Sequence, residues 1–158
     1  MNTKAKGDIG EQLACEYLVE KGFKIIGRNV KLAKCEIDIV AEAYFDNFDN
    51  LIPQKSTFFD KIKSVFHLKN AGESKKAKGK RTLVFIEVKT RTDDEHGAPE
   101  EAVDGYKKGR YVTAAKSYVE KFGEQNTPVR FDVITVEDGK INHIENAFTT
   151  NDARYPKR

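Results

Sequence analysis

The sequence lacks the features that mark membrane-spanning, secreted and disulfide-stabilised proteins. Its 158 residues include only two cysteines, Cys15 and Cys35, which cannot build a disulfide framework, so nothing calls for an oxidising compartment. No apolar run is long enough to cross a membrane, and the first residues, MNTKAKGDIGEQ, lack the apolar stretch of a signal peptide. We therefore expect a cytoplasmic protein with no membrane partner.

Motifs for two common kinds of chemistry are absent as well. The chain has no glycine-rich phosphate-binding motif and no nucleophile elbow. Its three histidines, His67, His96 and His143, are scattered and show no metal-ligand spacing. His96 follows a predicted strand closely enough to reach a site there, but a plain loop histidine is the favoured interpretation.

The net positive charge of the chain is small, but positive charge is concentrated in one segment. The whole chain carries a net charge of +3. Residues 53–81 hold nine Lys or Arg against two acidic residues, a net charge of +7, so the remaining residues sum to −4. Such a basic segment beside an acidic remainder indicates contact with a polyanion. The alternative is a solvated linker that keeps the protein soluble.

Hydrophobic periodicity predicts one domain of the α/β or α+β class with a single central sheet. Apolar residues at helical spacing predict helices over 7–22 and 100–123, the second preceded by Pro99 and closed by Gly123. Alternating apolar and polar residues predict five strands, over 23–30, 35–43, 82–91, 129–136 and 141–148. The order is therefore α-β-β-β-α-β-β, with a domain over 1–148 and a loose tail at 149–158.

Residues 44–81 break this pattern and are predicted to be a basic, partly mobile insertion in the domain. The stretch STFFDKIKSVFHLKN has Phe59, Ile62 and Phe66 in helical register, whereas AGESKKAKGKR is rich in glycine and lysine. A loop of this length is unusual in a compact domain. We expect its apolar stripe to pack on the domain rather than to bind a membrane.

Charged side chains alternate on two of the predicted strands. Glu87, Lys89 and Arg91 share one face of their strand; Glu36 and Asp38 share a face of the preceding strand, opposite the face expected for Ile37 and Ile39. If the strands are neighbours, Asp38, Glu87 and Lys89 converge at one end of the sheet. Paired carboxylates suit Mg²⁺, and an adjacent lysine can hold a phosphate or a water. The spacing fits metal-assisted phosphodiester hydrolysis; a solvated face of alternating charges is the alternative.

Three other groups of charged residues leave two interpretations open. Glu11 lies beside the packed stripe of the first helix and offers a third carboxylate, or it forms a capping box with Asp8. On the second helix, Lys107, Lys108 and Arg110 either touch phosphates or form a solvated face. Arg130 and Asp132 alternate on the fourth strand, where a structural ion pair is favoured.

Five blocks of sequence together resemble a known family. They are GDIGEQLACEYLVEKGFKIIGRN, CEIDIV, LVFIEVKTR, GAPEEAV…K and RFDVITV. In this order they resemble the YraN-like family of uncharacterised bacterial proteins, which is similar to the PD-(D/E)xK nuclease superfamily, with archaeal Holliday-junction resolvases among its nearest structural relatives. The resemblance covers most of the chain apart from residues 44–81 and the tail.

The resemblance implies a restriction-endonuclease-like α/β fold, a central mixed sheet flanked by helices, and a metal-dependent endonuclease acting on DNA, including branched or junction DNA. A module that binds nucleic acid without catalysis is the alternative, and a protein–protein adaptor is a weaker one. Asp38 and Glu87 match the acids that bind Mg²⁺ or Mn²⁺, Lys89 the catalytic lysine and Glu11 the helix glutamate. Glu36 matches an accessory ligand or shaping residue.

Nucleic-acid contacts are expected from basic residues of three elements, and resolvase-like relatives suggest a homodimer. The residues are Arg91, Lys107, Lys75, Lys76, Lys78 and Lys80. The chain departs from the family pattern in having Cys35 where the family motif begins with glycine. It also departs in the 49 positions that separate Asp38 from Glu87, which place the basic insertion at the tip of the hairpin between the two catalytic strands.

Overall fold

Two α-helices and five strands make up the described part of the protein, residues 3–46, 50–52, 79–91 and 103–155 of a computed structural model. None of the helices in these ranges is long and apolar enough to cross a membrane. In chain order the elements are α1 (Thr3–Lys21), β1 (Lys24–Leu32), β2 (Cys35–Phe45), β3 (Lys80–Arg91), α2 (Gly105–Phe122), β4 (Val129–Glu137), β5 (Lys140–Phe148) and a 3₁₀ turn (Thr150–Asp152).

The five strands form one mixed sheet in the order β1-β2-β3-β4-β5. Strands β3 and β4 are parallel, and the other neighbouring pairs are antiparallel. A parallel pair needs a long crossover connection, and α2 lies in the connection between β3 and β4. The predicted order of elements and the single central mixed sheet are confirmed.

The helices contribute to two separate hydrophobic clusters, one for each face of the sheet. Leu18 of α1 packs with Val84 and Ile86 of β3, whereas Tyr111 of α2 packs with Leu83 and Phe85. Strand β3 is therefore buried on both faces, as expected for the central strand of a sheet with helices on both sides. Burial on both faces explains the continuous apolar run of β3.

The two helix starts differ from those predicted. Helix α1 begins at Thr3, so Asp8 and Glu11 lie inside it and the capping box between them does not form. Helix α2 begins at Gly105, because the side chain of Asp104 accepts a hydrogen bond from the Lys107 backbone N–H at 2.8 Å and serves as the N-cap. Pro99, the expected start, lies outside the described residues.

Both helices end at the predicted glycines. Gly123, at φ 71°, donates its backbone N–H to the Val119 carbonyl. Gly22, at φ 98°, donates to Val19 at 3.0 Å, and Phe23 donates to Leu18 at 2.9 Å. Glycine adopts this left-handed conformation without the steric cost that other residues incur, so the sequence signal for the helix ends has a direct physical basis.

The C-terminal tail, expected to be loose, is anchored as far as it is described. The Thr149 side chain caps the 3₁₀ turn, and the Arg154 backbone N–H donates to the Gly105 carbonyl at 2.8 Å. Residues 149–155 therefore lie against the first turn of α2. Residues 156–158 are outside the described ranges.

The basic insertion emerges from the end of the β2–β3 hairpin that is remote from Asp38. Phe45 pairs with Lys80 and also bridges to Leu51, so the two ends of the insertion meet there. Phe45 lies seven positions after Asp38 on β2, a span of about 23 Å. The predictions for residues 47–49 and 53–78, including the helical stripe, fall outside the described residues.

Candidate active site

Strands β2 and β3 separate beside the acidic residues. Their pairing runs from Phe45 and Lys80 only as far as Ile39 and Ile86, whereas β2 stays paired with β1 and β3 stays paired with β4 beyond that point. Asp38 and Glu87 are the first residues past the shared ladder on their respective strands. The carboxylates therefore stand at a fork in the sheet.

The alternation of β2 is interrupted at this fork. Ile37 packs in the cluster on the α2 side, whereas Ile39 packs in the cluster on the α1 side. The expectation that both isoleucines share one face is therefore wrong. The interruption falls at Asp38, where β2 loses β3 as its neighbour, so a rule for regular strands does not apply there.

Asp38 bridges the fork through its side chain. Its Oδ2 accepts a hydrogen bond from the Val88 backbone N–H at 2.7 Å, which satisfies a group of β3 that β2 no longer pairs with. Burial and the charge of Glu87 raise the pKa of Asp38 to about 7, although the Val88 hydrogen bond acts in the opposite direction. The two carboxylates predicted from the strand patterns are therefore close enough to interact.

Glu87 is a buried carboxylate, only 1 % exposed, with unequal surroundings at its two oxygens. Its Oε1 pairs with the ammonium groups of Lys107 and of Lys89, the latter at 2.9 Å. Its Oε2 is buried and has no hydrogen-bond partner. Burial alone would raise the pKa of Glu87, but Lys107 and hydrogen bonds from Lys107, Tyr111 and Lys89 outweigh it and hold the pKa below its usual range.

Lys89 is in the predicted place and is held in its charged form. Burial acts to lower its pKa, but the hydrogen bond with Glu87 and the negative charge of that carboxylate raise it above its ordinary value. A lysine in this state is an ammonium at neutral pH. It can donate hydrogen bonds and stabilise negative charge, but it is poorly suited to accept a proton from water.

Two residues of α2 complete the site, and only one of them was anticipated in any role. Lys107, expected to touch phosphate or solvent, pairs with Glu87. Tyr111, which sequence reasoning missed, is fully buried and accepts the Asp38 backbone N–H at 3.4 Å, and its hydroxyl contributes to the lowered pKa of Glu87. The spacing Lys107-x-x-x-Tyr111 places both residues on one helix face, but it does not show that this face packs against Glu87.

An open, polar pocket of about 570 Å³ lies in front of Asp38. Charges of both signs from α1, the β1–β2 turn, β2 and α2 line it, among them Glu11, Glu36, Asp38, Lys34, Lys107 and Arg110. Cys35, which replaces the family's glycine, also lines this pocket. A polyanion entering the pocket would meet ammonium and guanidinium groups beside the buried carboxylates.

Glu11 and Glu36 border the pocket without joining Asp38 and Glu87 in one cluster. Glu11 accepts a hydrogen bond from Asn29 at 3.1 Å, and its charge contributes to the raised pKa of Asp38. Glu36 is half exposed and lies 3.8 Å from the Lys31 ammonium. Over the described ranges, no group of three or more His, Cys, Asp or Glu side chains is placed to hold a metal ion together.

Asp38 and Glu87 nevertheless fit a hard divalent ion. Mg²⁺ is commonly bound through one or two protein carboxylates and keeps several waters, so a third protein ligand is not required. The unpartnered Oε2 of Glu87 is a buried acceptor, and a buried acceptor left unpaired is costly. The repulsion that raises the pKa of Asp38 is of the kind that a cation between the two carboxylates would relieve.

The other basic residues predicted to contact nucleic acid are distributed over the molecule. Arg91 ends β3, two residues beyond Lys89, on the side of the fork. Lys80 lies at the opposite end of the same strand, and Lys75, Lys76 and Lys78 fall outside the described residues. Of the members of this set that the structure describes, Arg91 and Lys107 lie on the side of the fork and Lys80 does not.

The ion pair predicted on β4 is confirmed as structural. Arg130 lies 2.7 Å from Asp132, which is fully buried. Asp132 also contacts His143 at 2.8 Å and accepts the Asn146 backbone N–H at 2.9 Å. These partners satisfy the buried carboxylate, and the cluster does not line the pocket at the fork.

The chain is similar over nearly its full length to bacterial proteins of one uncharacterised family. The model of uncharacterised protein family UPF0102 matches residues 10–136. A UPF0102 protein of Clostridioides difficile is 35% identical over 150 residues, covering 94% of this chain and 100% of the relative. One of Symbiobacterium thermophilum is 33% identical, covering 90% of this chain and 94% of the relative. One of Phocaeicola vulgatus is 34% identical, with 90% of each covered.

Proposed function

The chain belongs to the uncharacterised family UPF0102, and from that premise we propose that it is a metal-dependent endonuclease that hydrolyses phosphodiester bonds of DNA. The observation that carries the proposal is the environment of Glu87. This carboxylate is buried and charged, and it has two lysines on one oxygen and no partner on the other. It lies beside Asp38, which lines an open polar pocket. A purely structural ion pair would not need these features together.

The ion would be Mg²⁺ or Mn²⁺, held by Asp38 and Glu87. When bound, such an ion supplies Lewis-acid stabilisation of a phosphate oxygen and lowers the pKa of a coordinated water. It would also favour the ionised form of Asp38, whose pKa is otherwise raised to about 7. Glu11, which borders the pocket beyond these two residues, would act through water, and Glu36 would shape the pocket entrance.

The lysines and Tyr111 have separate tasks in this proposal. Lys89, held as an ammonium, would orient the attacking water and stabilise the charge that develops on the phosphate. Lys107 reaches both Glu87 and the pocket, so it can bind the phosphate from the α2 side. Tyr111 accepts a hydrogen bond from the Asp38 backbone and helps to lower the pKa of Glu87, so it would support both carboxylates of the fork.

The test is a cleavage assay with purified protein, Mg²⁺ or Mn²⁺, and a panel of branched, flapped, single-stranded and double-stranded DNA. We expect cleavage of at least one substrate, and we expect Asp38→Asn to reduce its rate roughly 100-fold or more. Glu145→Gln is the matched control, because Glu145 is an exposed acid on β5 that does not line the pocket. Equal background from wild type and Asp38→Asn on every substrate would refute the proposal.

One observation favours a second candidate, a nucleic-acid-binding module without catalysis. Lys89 and Lys107 already neutralise Glu87, so this carboxylate does not require a metal for charge balance. Calorimetric titration with Mg²⁺ or Mn²⁺ separates the two candidates. An endonuclease requires an ion affinity that Glu87→Gln reduces, whereas unchanged affinity for both ion and nucleic acid would identify the binding module.

A further inference from the structure

Two exposed tyrosines and two exposed arginines lie together where the C-terminal tail packs on the N-terminal half of α2. Tyr106 is 58 % exposed and Tyr155 is 51 % exposed. A Cβ atom placed on Gly109 would lie 3.5 Å from the Tyr155 ring, and Gly109 is one helical turn beyond Tyr106, so the two tyrosines occupy neighbouring positions. We define Tyr106, Arg110, Arg154 and Tyr155 as the aromatic–basic patch.

The aromatic–basic patch is continuous with the candidate active site. Tyr106 immediately precedes Lys107, whose ammonium pairs with Glu87. Arg110 lies four residues after Tyr106, on the same helix face, and lines the pocket that Asp38 also lines. A chain of phosphates bound at the pocket would therefore bring its next nucleotides onto this patch.

Among the described residues of α2 and the tail, basic side chains outnumber acidic ones around the patch. Asp104 and Asp152 accept backbone N–H groups there, from Lys107 at 2.8 Å and from Thr149 at 2.7 Å. Asp104 is the N-cap of α2, and Asp152 completes the capping box of the 3₁₀ turn with Thr149. The four basic residues that outnumber them are Lys107, Lys108, Arg110 and Arg154.

Packing of the tail does not account for the exposed rings. The tail is attached to α2 by its backbone, through the Arg154 N–H and the Gly105 carbonyl. Gly105 and Gly109 leave the space that residues 154 and 155 fill, since a Cβ on Gly109 would come within 2.2 Å of the Arg154 carbonyl oxygen. About half of the Tyr155 side chain remains exposed after this contact, and Tyr106 is more exposed still.

Exposed aromatic rings interleaved with basic groups match the chemistry of an unpaired nucleic-acid strand. Unpaired bases stack on aromatic side chains, whereas the bases of a duplex are already stacked on one another. We propose that the aromatic–basic patch binds single-stranded nucleic acid, with bases stacking on Tyr106 and Tyr155 and phosphates contacting Arg110 and Arg154. Resting on the proposed function, this assigns the endonuclease a substrate with unpaired nucleotides next to the cut.

The test measures binding without cleavage, by fluorescence anisotropy in EDTA with a dye-labelled single strand and the duplex of the same sequence. We expect tighter binding of the single strand, and Tyr106→Ala should weaken that binding roughly tenfold with a smaller effect on the duplex. Tyr106→Phe, which keeps the ring, should retain the affinity, and Tyr155→Ala is a second, independent variant. Phe122→Ala is the control, because Phe122 is a 53 % exposed aromatic at the other end of α2.

Equal affinity for strand and duplex would overturn the inference, and so would an equal loss of both affinities in Tyr106→Ala. Failure of this inference can be told apart from failure of the proposed function, because binding is measured in EDTA, where no hydrolysis occurs. If the single-strand preference depends on Tyr106 but the Asp38 cleavage test fails, the patch belongs to a binding module and the inference stands. If cleavage depends on Asp38 but Tyr106 has no effect, the inference alone is refuted.

Discussion

At the scale of single residues, Asp38 and Glu87 share a site, yet their pKa values are shifted in opposite directions. Burial opposes charge on both, but the two lysines form ion pairs with Glu87 and keep it ionised. At Asp38, burial and the charge of Glu87 outweigh the Val88 hydrogen bond and the charge of Lys107, and the pKa rises from 3.8 to about 7. In the proposed function, a cation bound between the two carboxylates would lower the pKa of Asp38.

The raised pKa of Asp38 predicts a specific pH dependence of stability. An acid with a higher pKa in the folded than in the unfolded protein adds stability below its unfolded pKa, and this contribution is lost as the pH rises through about 7. In EDTA at pH 8, Asp38→Asn should therefore have a free energy of unfolding higher than that of wild type by on the order of 2 kcal/mol, and so a higher unfolding temperature. At pH 4 the two proteins should differ little.

Thermal unfolding followed by circular dichroism between pH 4 and pH 8 checks this prediction. Asp8→Asn is the matched control, since Asp8 lines the same pocket but is exposed. Glu87 has a lowered pKa, so its contribution to stability changes with pH in a different range, below its ordinary pKa of 4.5. Parallel stability curves for wild type and Asp38→Asn across this pH range would contradict the prediction.

At the scale of elements, sequence patterns predicted what the strands contribute to the site and failed for what the helix contributes. Alternation is a local rule, so it gave the faces of Asp38, Glu87 and Lys89, and these residues meet because β2 and β3 are neighbours. The contact of Lys107 and Tyr111 with Glu87 depends on how α2 docks after the crossover, which no local pattern encodes. The fork itself was missed for a similar reason, because alternation rules assume a continuous ladder.

Helix α1 approaches β3 closely at one point near the site. A Cβ on Gly10 would lie 2.0 Å from the Thr90 hydroxyl oxygen, and Thr90 lies between Lys89 and Arg91. We expect Gly10→Ala to destabilise the protein by about 1–3 kcal/mol, because the β-branched Thr90 side chain cannot rotate freely away inside a strand. Urea unfolding at neutral pH measures the change.

Gly7 provides the matched control on the same helix. A Cβ on Gly7 would meet nothing within 4 Å, so Gly7→Ala should stabilise the protein by about 0.5–1 kcal/mol through helix propensity alone. Shortening the opposing side chain, as in Gly10→Ala combined with Thr90→Ala, should recover part of the loss. Equal effects of Gly7→Ala and Gly10→Ala would show that the close approach does not constrain α1.

At the scale of the whole molecule, the β2–β3 hairpin separates two regions of different charge. The fork with its carboxylates lies at one end, and the ends of the basic insertion meet about 23 Å away at the other. Removing residues 53–78 would remove seven lysines and two acidic residues and change the net charge from +3 to −2. Any contribution of these lysines to nucleic-acid binding is thus expected to depend on how far the ligand extends from the fork.

The junction for such a deletion is favourable, because Ile52 and Gly79 already lie in contact. A Cβ on Gly79 would stand 2.6 Å from the Ile52 side chain, and the Ile52 N–H donates to the Tyr44 carbonyl at 2.7 Å. Joining Ile52 directly to Gly79 should preserve the fold and the affinity for a short single strand. For long DNA at low salt, the deletion should weaken binding and flatten the dependence of log Kd on log salt concentration, since fewer counterions are released.

Binding titrations with a short and a long DNA across a series of salt concentrations make this comparison, with unfolding temperature as the check on folding. The geometry requires that the loss grow with DNA length, because the ends of the insertion lie far from Asp38 and Glu87. An equal loss for short and long DNA would mean that the insertion reaches back to the fork. No loss for either would exclude the insertion from nucleic-acid binding and leave its lysines as a solvated surface.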